Sequence, residues 1–225
     1  VTSFLSDEVE LSELETRELP TPSGNVNQIL LSLDQRWLFL VEDQHKIETY
    51  DMRKPAAKMR LSLLDAVAQD VNITRVEFLL GGFSLLVADD HGNISQWFMA
   101  RDEKGNDYLA QVRTLTLEPG VAITTLQAEH RRKGFIAGDA QGNIGIYNTT
   151  AEREVMTESI GAAPVEWIAM TPRADMVAFK LRDAVPVSYS VHNEHPEVSL
   201  SSLWKEVWYE RYQEPDYVWQ SSSAN

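Results

Sequence analysis

The stretch Gln141-Gly142-Asn143-Ile144-Gly145-Ile146-Tyr147-Asn148 is a glycine-containing turn followed by a short strand that ends in an aromatic residue. Similar stretches occur at Gln44–Asp51, His91–Phe98 and Asp183–Ser190. The aromatic residues of the four stretches, in chain order, are Tyr50, Trp97, Tyr147 and Tyr189. The aromatics recur about every 45 residues, and a fixed period of that length indicates a repeat architecture. The repeat therefore decides the fold prediction.

Each repeat contains further β-rich segments before and after this stretch. The segment just upstream predicts a hairpin partner, at Trp37–Val41, Phe83–Ala88, Gly134–Gly138 and Met176–Phe179. An earlier apolar segment precedes each hairpin, at Val26–Leu33, Ile73–Leu80, Val121–Ala128 and Val165–Met170. A more polar segment follows, at Lys58–Leu63, Tyr108–Leu117 and Arg153–Thr157, and its alternation suits an exposed outer strand. The turns His91-Gly92-Asn93 and Gln141-Gly142-Asn143 supply glycine and asparagine, two residues that tolerate positive φ angles.

Four strands in about 45 residues resemble a WD40 repeat, the blade of a β-propeller. Tyr50-Asp51 stands where such a blade has Trp-Asp, whereas the other units have Trp97-Phe98, Tyr147-Asn148 and Tyr189-Ser190. No Gly-His pair opens a repeat. We therefore predict an all-β, β-propeller-like fold of about four divergent blades, which form a complete small ring or part of a larger or incomplete one. Val9–Leu19 is read either as the outer strand of a missing blade or as a strand that closes the ring.

The composition excludes several classes of protein. The chain has 225 residues, with 20 Lys+Arg against 34 Asp+Glu, a net charge of −14 and no cysteine. Such a negative charge disfavours nucleic-acid binding, and the absence of cysteine excludes disulfides, thiolate metal sites and thiol nucleophiles. No apolar run reaches the roughly 18 residues of a membrane span. The sequence also starts without methionine and ends in a serine-rich stretch, so we expect a segment of a longer protein.

The sequence offers little support for catalysis, a cofactor or a metal site. There is no phosphate-binding loop, no zinc-binding helix and no nucleophile elbow, and His192 and His195 lie in a polar loop beside a proline. The acidic loop Asp102–Asp107 and the pair Asp89-Asp90 are interpreted as solvated turns rather than calcium sites, because the ligand spacing of an EF-hand is missing. We therefore predict a protein that is not an enzyme.

The chain is divided into three parts: an acidic segment with an outer strand (residues 1–24), the repeats (25–198) and an aromatic segment (199–225). Apolar residues recur at three- and four-residue steps from Leu200, which predicts a short amphipathic helix that ends at Glu214-Pro215. The aromatics of this segment either pack on the propeller or form an interface, and the candidate interface residues are Trp204, Trp208, Tyr209, Tyr212, Tyr217 and Trp219.

The segment Ser202–Ser223, with Trp208-Tyr209-Glu210, Tyr212, Glu214-Pro215 and Tyr217-Val218-Trp219-Gln220-Ser221-Ser222, resembles the phosphate-specific ABC transporter permease in its long Gram-negative form. In that family a periplasmic insertion with propeller-like repeats precedes this segment, which leads into the remaining membrane spans. The resemblance implies a domain on the periplasmic face of the inner membrane that contacts the lipid only through its parent protein.

The implied role is a docking or regulatory surface during phosphate import. The expected partners are the periplasmic phosphate-binding protein, or another envelope protein, and the other transporter subunits. The transport residues of the family lie in the membrane spans, so none is assigned here. The alternatives are a soluble WD40-like scaffold for protein–protein interaction and a propeller enzyme or sugar-binding module. The mostly apolar inner segments argue against the last of these.

Overall fold

The computed structural model describes residues 18–130, 133–149, 153–171 and 176–190, and almost all of its regular structure is β-strand. The first sheet contains β1 (Val26–Leu31), β2 (Trp37–Glu42), β3 (Lys46–Asp51) and β4 (Arg60–Asp65). The second contains β5 (Ile73–Phe78), β6 (Ser84–Asp89), β7 (Asn93–Arg101) and β8 (Asp107–Thr116). The third contains β9 (Ile123–Ala128), β10 (Gly134–Asp139), β11 (Asn143–Asn148) and β12 (Arg153–Ser159). The fourth contains β13 (Val165–Met170), β14 (Met176–Leu181) and β15 (Val187–Ser190). A 3-10 turn, Ala56–Lys58, precedes β4.

Each sheet is an antiparallel meander in which neighbours in the sequence are neighbours in space. Three sheets have four strands, and the fourth has three within the part of the chain that is described. The strands begin and end within a few residues of the predicted segments, and Val165–Met170 has the predicted bounds. The prediction of an all-β, propeller-like arrangement is thus confirmed at the level of strands and sheets.

The pairing register repeats from sheet to sheet. The repeated aromatic residue pairs with the second residue of the preceding strand in every case, as Leu38↔Tyr50, Leu85↔Trp97, Phe135↔Tyr147 and Val177↔Tyr189. A β-bulge also recurs beside the repeated aromatic in the first three sheets. The register between the third and fourth strands shifts between Thr49 and Tyr50, between Gln96 and Trp97, and between Ile146 and Tyr147. The sequence repeat is therefore a repeat of backbone geometry, with bulges that add twist at equivalent points.

The hydrophobic core lies between the faces of successive sheets. Trp37, Phe39 and Val41 of β2 pack against Val76 and Leu85 of the second sheet. A second cluster joins the second and third sheets, and a third joins the third and fourth. Because both faces of a middle strand are covered, β2 and β10 are buried along their whole length and lack the alternation of a one-sided sheet.

The four sheets are stacked in chain order as an arc. The main contacts between sheets join β5 to β9, β9 to β13 and β4 to β8. They do not join the first sheet to the fourth, so the described sheets do not form a closed ring. Most of Val9–Leu19 and the whole predicted helix of residues 200–214 lie outside the described residues, and Glu18 and Leu19 are not in a strand.

The turns between second and third strands use glycine and asparagine in different ways. Gly92 and Gly142 have φ angles of 85°, as expected, but Asn93 and Asn143 do not take positive φ. These asparagines begin β7 and β11 instead, and their side chains bond to an aspartate of the preceding strand. The tolerance of asparagine for positive φ is therefore not used here, because a side-chain hydrogen bond fixes its place in the turn.

Candidate functional site

A recurring Asp-x-x-Gly-Asn turn shows what these carboxylates ordinarily do in this fold. Asp139 Oδ1 accepts hydrogen bonds from the backbone N–H of Gln141 and of Asn143, both at 2.8 Å, and its Oδ2 accepts one from Asn143 Nδ2 at 2.7 Å. Asp89 has the same three bonds in the second sheet. The carboxylates at these two positions are thus engaged in holding the hairpin, which leaves them few lone pairs for a ligand.

The loop Asp102–Asp107 repeats this chemistry at the surface. Asp102 accepts hydrogen bonds from the backbone N–H of Lys104 and Asn106 and from Asn106 Nδ2, at 2.8–3.0 Å. The side-chain amide of Asn106 is the main reason why the pKa of Asp102 lies below its ordinary value. The interpretation of this loop and of Asp89-Asp90 as turns agrees with the geometry. Among the described residues no group of three or more His, Asp or Glu side chains is placed to hold a metal ion.

The first sheet departs from this pattern, and the departure creates the candidate site. Glu42 ends β2 as Asp89 ends β6 and Asp139 ends β10, but Lys46 stands where the second and third sheets have asparagine. Glu48 occupies the place of Ser95 in β7 and of Gly145 in β11, two residues before the repeated aromatic. The first sheet therefore carries two glutamates on the face that points away from the second sheet, since Glu42 and Glu48 are on the opposite side of β2 and β3 from the shared core.

These side chains form what we call the acid cluster, which consists of Glu42, Glu48, Tyr50 and Arg60. The first three are fully buried, together with Leu38 and Leu40 on the same face. Tyr50 donates its hydroxyl hydrogen bond to Glu48 Oε2 at 2.8 Å, and Arg60 Nε forms an ion pair with Glu48 Oε1. Arg60 Nη2 also donates to the carbonyl oxygen of Thr21 at 2.8 Å, which brings the segment before β1 onto this face.

The two glutamates lie in different electrostatic environments. Glu48 has a cation and a phenol as partners, which satisfy its negative charge. Burial raises the pKa of Glu42 to about 7, and the neighbouring Glu48 adds to the rise. The backbone N–H groups of Ser23 and Gly24 oppose it only in part. Burial also raises the pKa of Tyr50, so the phenol stays protonated as a donor. Glu42 is thus a carboxyl group that can hold a proton near neutral pH.

The acid cluster resembles a catalytic pair in its charges but not in its access. A carboxyl group with a raised pKa, such as Glu42, beside a second carboxyl group is common in general acid and base catalysis. However, neither carboxyl group is exposed to solvent, so a substrate has no route to them in this conformation. The cluster can store or release one proton and can hold the chain before β1 against the first sheet. Its evident chemistry is protonation coupled to packing.

The residues predicted from sequence as an interface, Trp204, Trp208, Tyr209, Tyr212, Tyr217 and Trp219, all lie outside the described residues. The same holds for His192 and His195. Sequence reasoning assigned no role to Glu42 or Glu48. The available signal was a glutamate two residues before Tyr50, where the other repeats have Ser95, Gly145 and Val187, none of them charged.

Comparison with known proteins adds no family: no protein-family model matches the chain, and no curated protein is significantly similar to it. Within the described residues, no helix has the length and apolar character needed to cross a bilayer.

Proposed function

We propose that this chain is a non-catalytic periplasmic domain of a phosphate-specific ABC transporter permease, where it offers a docking or regulatory surface. The observation that carries the proposal is the resemblance of Ser202–Ser223 to the permease segment that follows a propeller-like insertion. The four stacked antiparallel sheets that precede this segment support it, because they have the architecture expected of such an insertion.

In the finer form of the proposal, the sheets are about four divergent WD40-like blades of a propeller. The repeated register, the repeated bulge and the repeated Asp-x-x-Gly-Asn turn support this assignment. Because the described sheets form an open arc, the blades belong to a larger or incomplete ring, or residues outside the described ranges close it. A short amphipathic helix follows the blades and leads toward the membrane.

The proposed partner is the periplasmic phosphate-binding protein. Sheets that bury both faces hold their connecting turns in fixed positions, which suits recognition of another protein. The inaccessible acid cluster supports a role without catalysis. The aromatic residues Trp204 and Trp208 are the natural anchors of such an interface, since tryptophan and tyrosine dominate binding energy at protein interfaces.

The test is a calorimetric titration of the purified chain with the phosphate-binding protein, with and without phosphate. We expect binding at micromolar concentrations that changes with phosphate occupancy. Trp204→Ala and Trp208→Ala should weaken binding at least tenfold, as the loss of about 1.4 kcal/mol or more at an interface anchor implies. Trp167→Ala in β13 is the matched control and should leave the affinity unchanged. Absence of heat with both forms of the binding protein would refute the docking role.

A second test reads the encoding gene on both sides of this segment. The permease assignment requires several apolar runs of about 20 residues soon after Asn225 and one upstream of Val1. Polar flanking sequence on both sides would refute the assignment, and a soluble scaffold for protein–protein interaction would then replace it.

A further inference from the structure

The turns of the first two sheets bring apolar and basic side chains to one end of the arc. Because the strands are antiparallel, the turns after the first and third strands of each sheet lie at the same end. Arg36 Nη2 bonds to Asp107 Oδ2 at 2.6 Å and so joins the two sheets there. A Cβ at Gly82 would lie 2.8 Å from Leu33 Cβ, so the turns of the two sheets touch. We call this surface, formed by residues 32–36, 52–60 and 79–83, the basic end.

Large apolar side chains project from the basic end into solvent. Leu33 is 77% exposed, Phe83 is 58% exposed and Leu80 is 39% exposed. They occupy two turns that touch each other and therefore form one patch. Turn tips are normally polar, so a cluster of exposed leucine and phenylalanine indicates contact with an apolar partner.

The turn beside this patch is strongly basic. Met52–Arg60 contains Arg53, Lys54, Lys58 and Arg60 and no carboxylate. Arg53 Nη2 lies 3.7 Å from Asp34 Oδ2, which places the basic turn next to Leu33. Asp102 and Glu103 lie at this end too, but on the second sheet, so the basic surface belongs to the first sheet.

The opposite end of the arc, which we call the acidic end, is negatively charged. Its turns comprise residues 43–45, 66–72, 90–92, 117–122, 140–142, 160–164 and 182–186, all of which are described. They carry five carboxylates and one arginine: Asp43, Asp70, Asp90, Glu118, Asp183 and Arg182. A chain with a net charge of −14 thus concentrates exposed cations at one end, and this orients it with the basic end toward an anionic surface.

The described chain also enters and leaves on the side of the basic end. Thr21 is bound to Arg60, and four residues later Asn25 bonds to Asp43 at the opposite end. At the other terminus, Ser190 of β15 pairs with Met176, the first residue of β14. Strand β15 therefore runs toward the basic end. If both connections lead to membrane spans, as the proposed function requires, the basic end faces the bilayer.

We propose that the basic end is a membrane-contact surface that rests on anionic lipid headgroups. Leu33 and Phe83 insert at the boundary between headgroups and acyl chains, and the exposed cations Arg53, Lys54 and Lys58 bind the lipid phosphates. The combination of apolar side chains with adjacent lysine and arginine is what an anionic bilayer surface attracts. This inference rests on the proposed function for the presence of a nearby membrane, although the surface can be tested on the chain alone.

The chain has no cysteine, so single-cysteine variants report on one position each. Leu33→Cys and Val185→Cys, labelled with a polarity-sensitive nitrobenzoxadiazole dye, probe the two ends, since Val185 is 82% exposed at the acidic end. With vesicles of phosphatidylcholine and phosphatidylglycerol, the label at Leu33 should shift to the blue and the label at Val185 should not. Vesicles of pure phosphatidylcholine should give little shift at either position. A shift at Val185 alone, or at neither position, overturns the inference.

Charge variants provide the second measurement, by vesicle sedimentation of the full chain. Lys58→Ala should lower the partition coefficient about fivefold, the value expected for one cation near an anionic surface. Arg182→Ala at the opposite end is the matched control and should have no effect. Equal losses for both variants would show nonspecific attraction and reject the surface, as would binding only to an acidic polypeptide such as polyglutamate. Titration with the phosphate-binding protein involves no lipid. A negative result with vesicles therefore does not refute the proposed docking role, which that titration tests separately.

Discussion

The Asp-x-x-Gly-Asn turn makes a quantitative prediction, because the same three hydrogen bonds occur in buried turns, at Asp89 and Asp139, and in an exposed turn, at Asp102. Asp139 is fully buried and accepts from two backbone N–H groups and one side-chain amide at 2.7–2.8 Å. In Asp139→Ala these donors lose their acceptor inside the protein. A hydrogen bond to a charged group contributes about 1.5–3 kcal/mol, and water that enters the turn recovers part of the loss. We expect Asp139→Ala to lower the free energy of unfolding by about 3–5 kcal/mol.

Asp102→Ala is the matched control. It removes three bonds of the same kind, at 2.8–3.0 Å, from an exposed turn where water replaces the carboxylate. The expected cost is about 1 kcal/mol or less, as for most surface substitutions. Urea unfolding of both variants measures the difference, provided that the denaturant slope is unchanged. Equal destabilisation of the two variants would refute the reasoning, because it would mean that burial does not determine what these hydrogen bonds contribute.

Three further predictions concern the acid cluster and the glycine turns. The pKa of Glu42 is raised from 4.5 to about 7, so between these pH values the folded state holds a proton that the unfolded state releases. The free energy of unfolding should therefore fall as pH rises through this range, by at most about 1.4 kcal/mol per pH unit. In Glu42→Gln the free energy of unfolding should depend less on pH over the same range. Tyr50→Phe leaves Glu48 Oε2 without its donor and should cost about 1.5–3 kcal/mol in urea unfolding, whereas a cost near zero would show that water satisfies that oxygen. Gly105→Ala should cost about 1 kcal/mol for its φ of 82°, while Gly142→Ala, whose Cβ would meet Gly161 O at 2.5 Å, should cost at least twice as much; similar melting temperatures for the two variants would contradict this.

The strands were predictable from sequence because the repeat sampled each pattern several times. A single run such as Trp37–Val41 is ambiguous, since a fully buried strand shows no alternation. Four such runs, which start 13 or 14 residues before an aromatic residue, remove the ambiguity between strand and helix. The β-bulges beside Tyr50, Trp97 and Tyr147 were not predictable, because a one-residue slip between strands leaves no mark in the composition of either strand.

The acid cluster was missed because its members are acidic residues in otherwise ordinary strand sequences. Only the pairing of β2 with β3 and the burial of that face show that Glu42 and Glu48 lie close together on one buried face. In the same way, the sequence shows a basic turn at Met52–Arg60 and apolar residues at Leu33 and Phe83, but the antiparallel topology is needed to bring them to the same end. The interface predicted in the aromatic segment, Trp204 to Trp219, stays a prediction.

The strictly sequential order of strands within each sheet has a consequence for folding kinetics. Every strand pairs with its immediate neighbour in the chain, so each sheet closes only short loops and can form early. The second and third sheets start from hairpins that an aspartate holds at the turn, whereas the hairpin of the first sheet relies on Asp43 and Gln44 at positive φ. The first sheet should therefore form after the second and third. In folding kinetics, substitutions of Asp89 and Asp139 should mainly slow folding, whereas core substitutions in β2 should mainly speed unfolding.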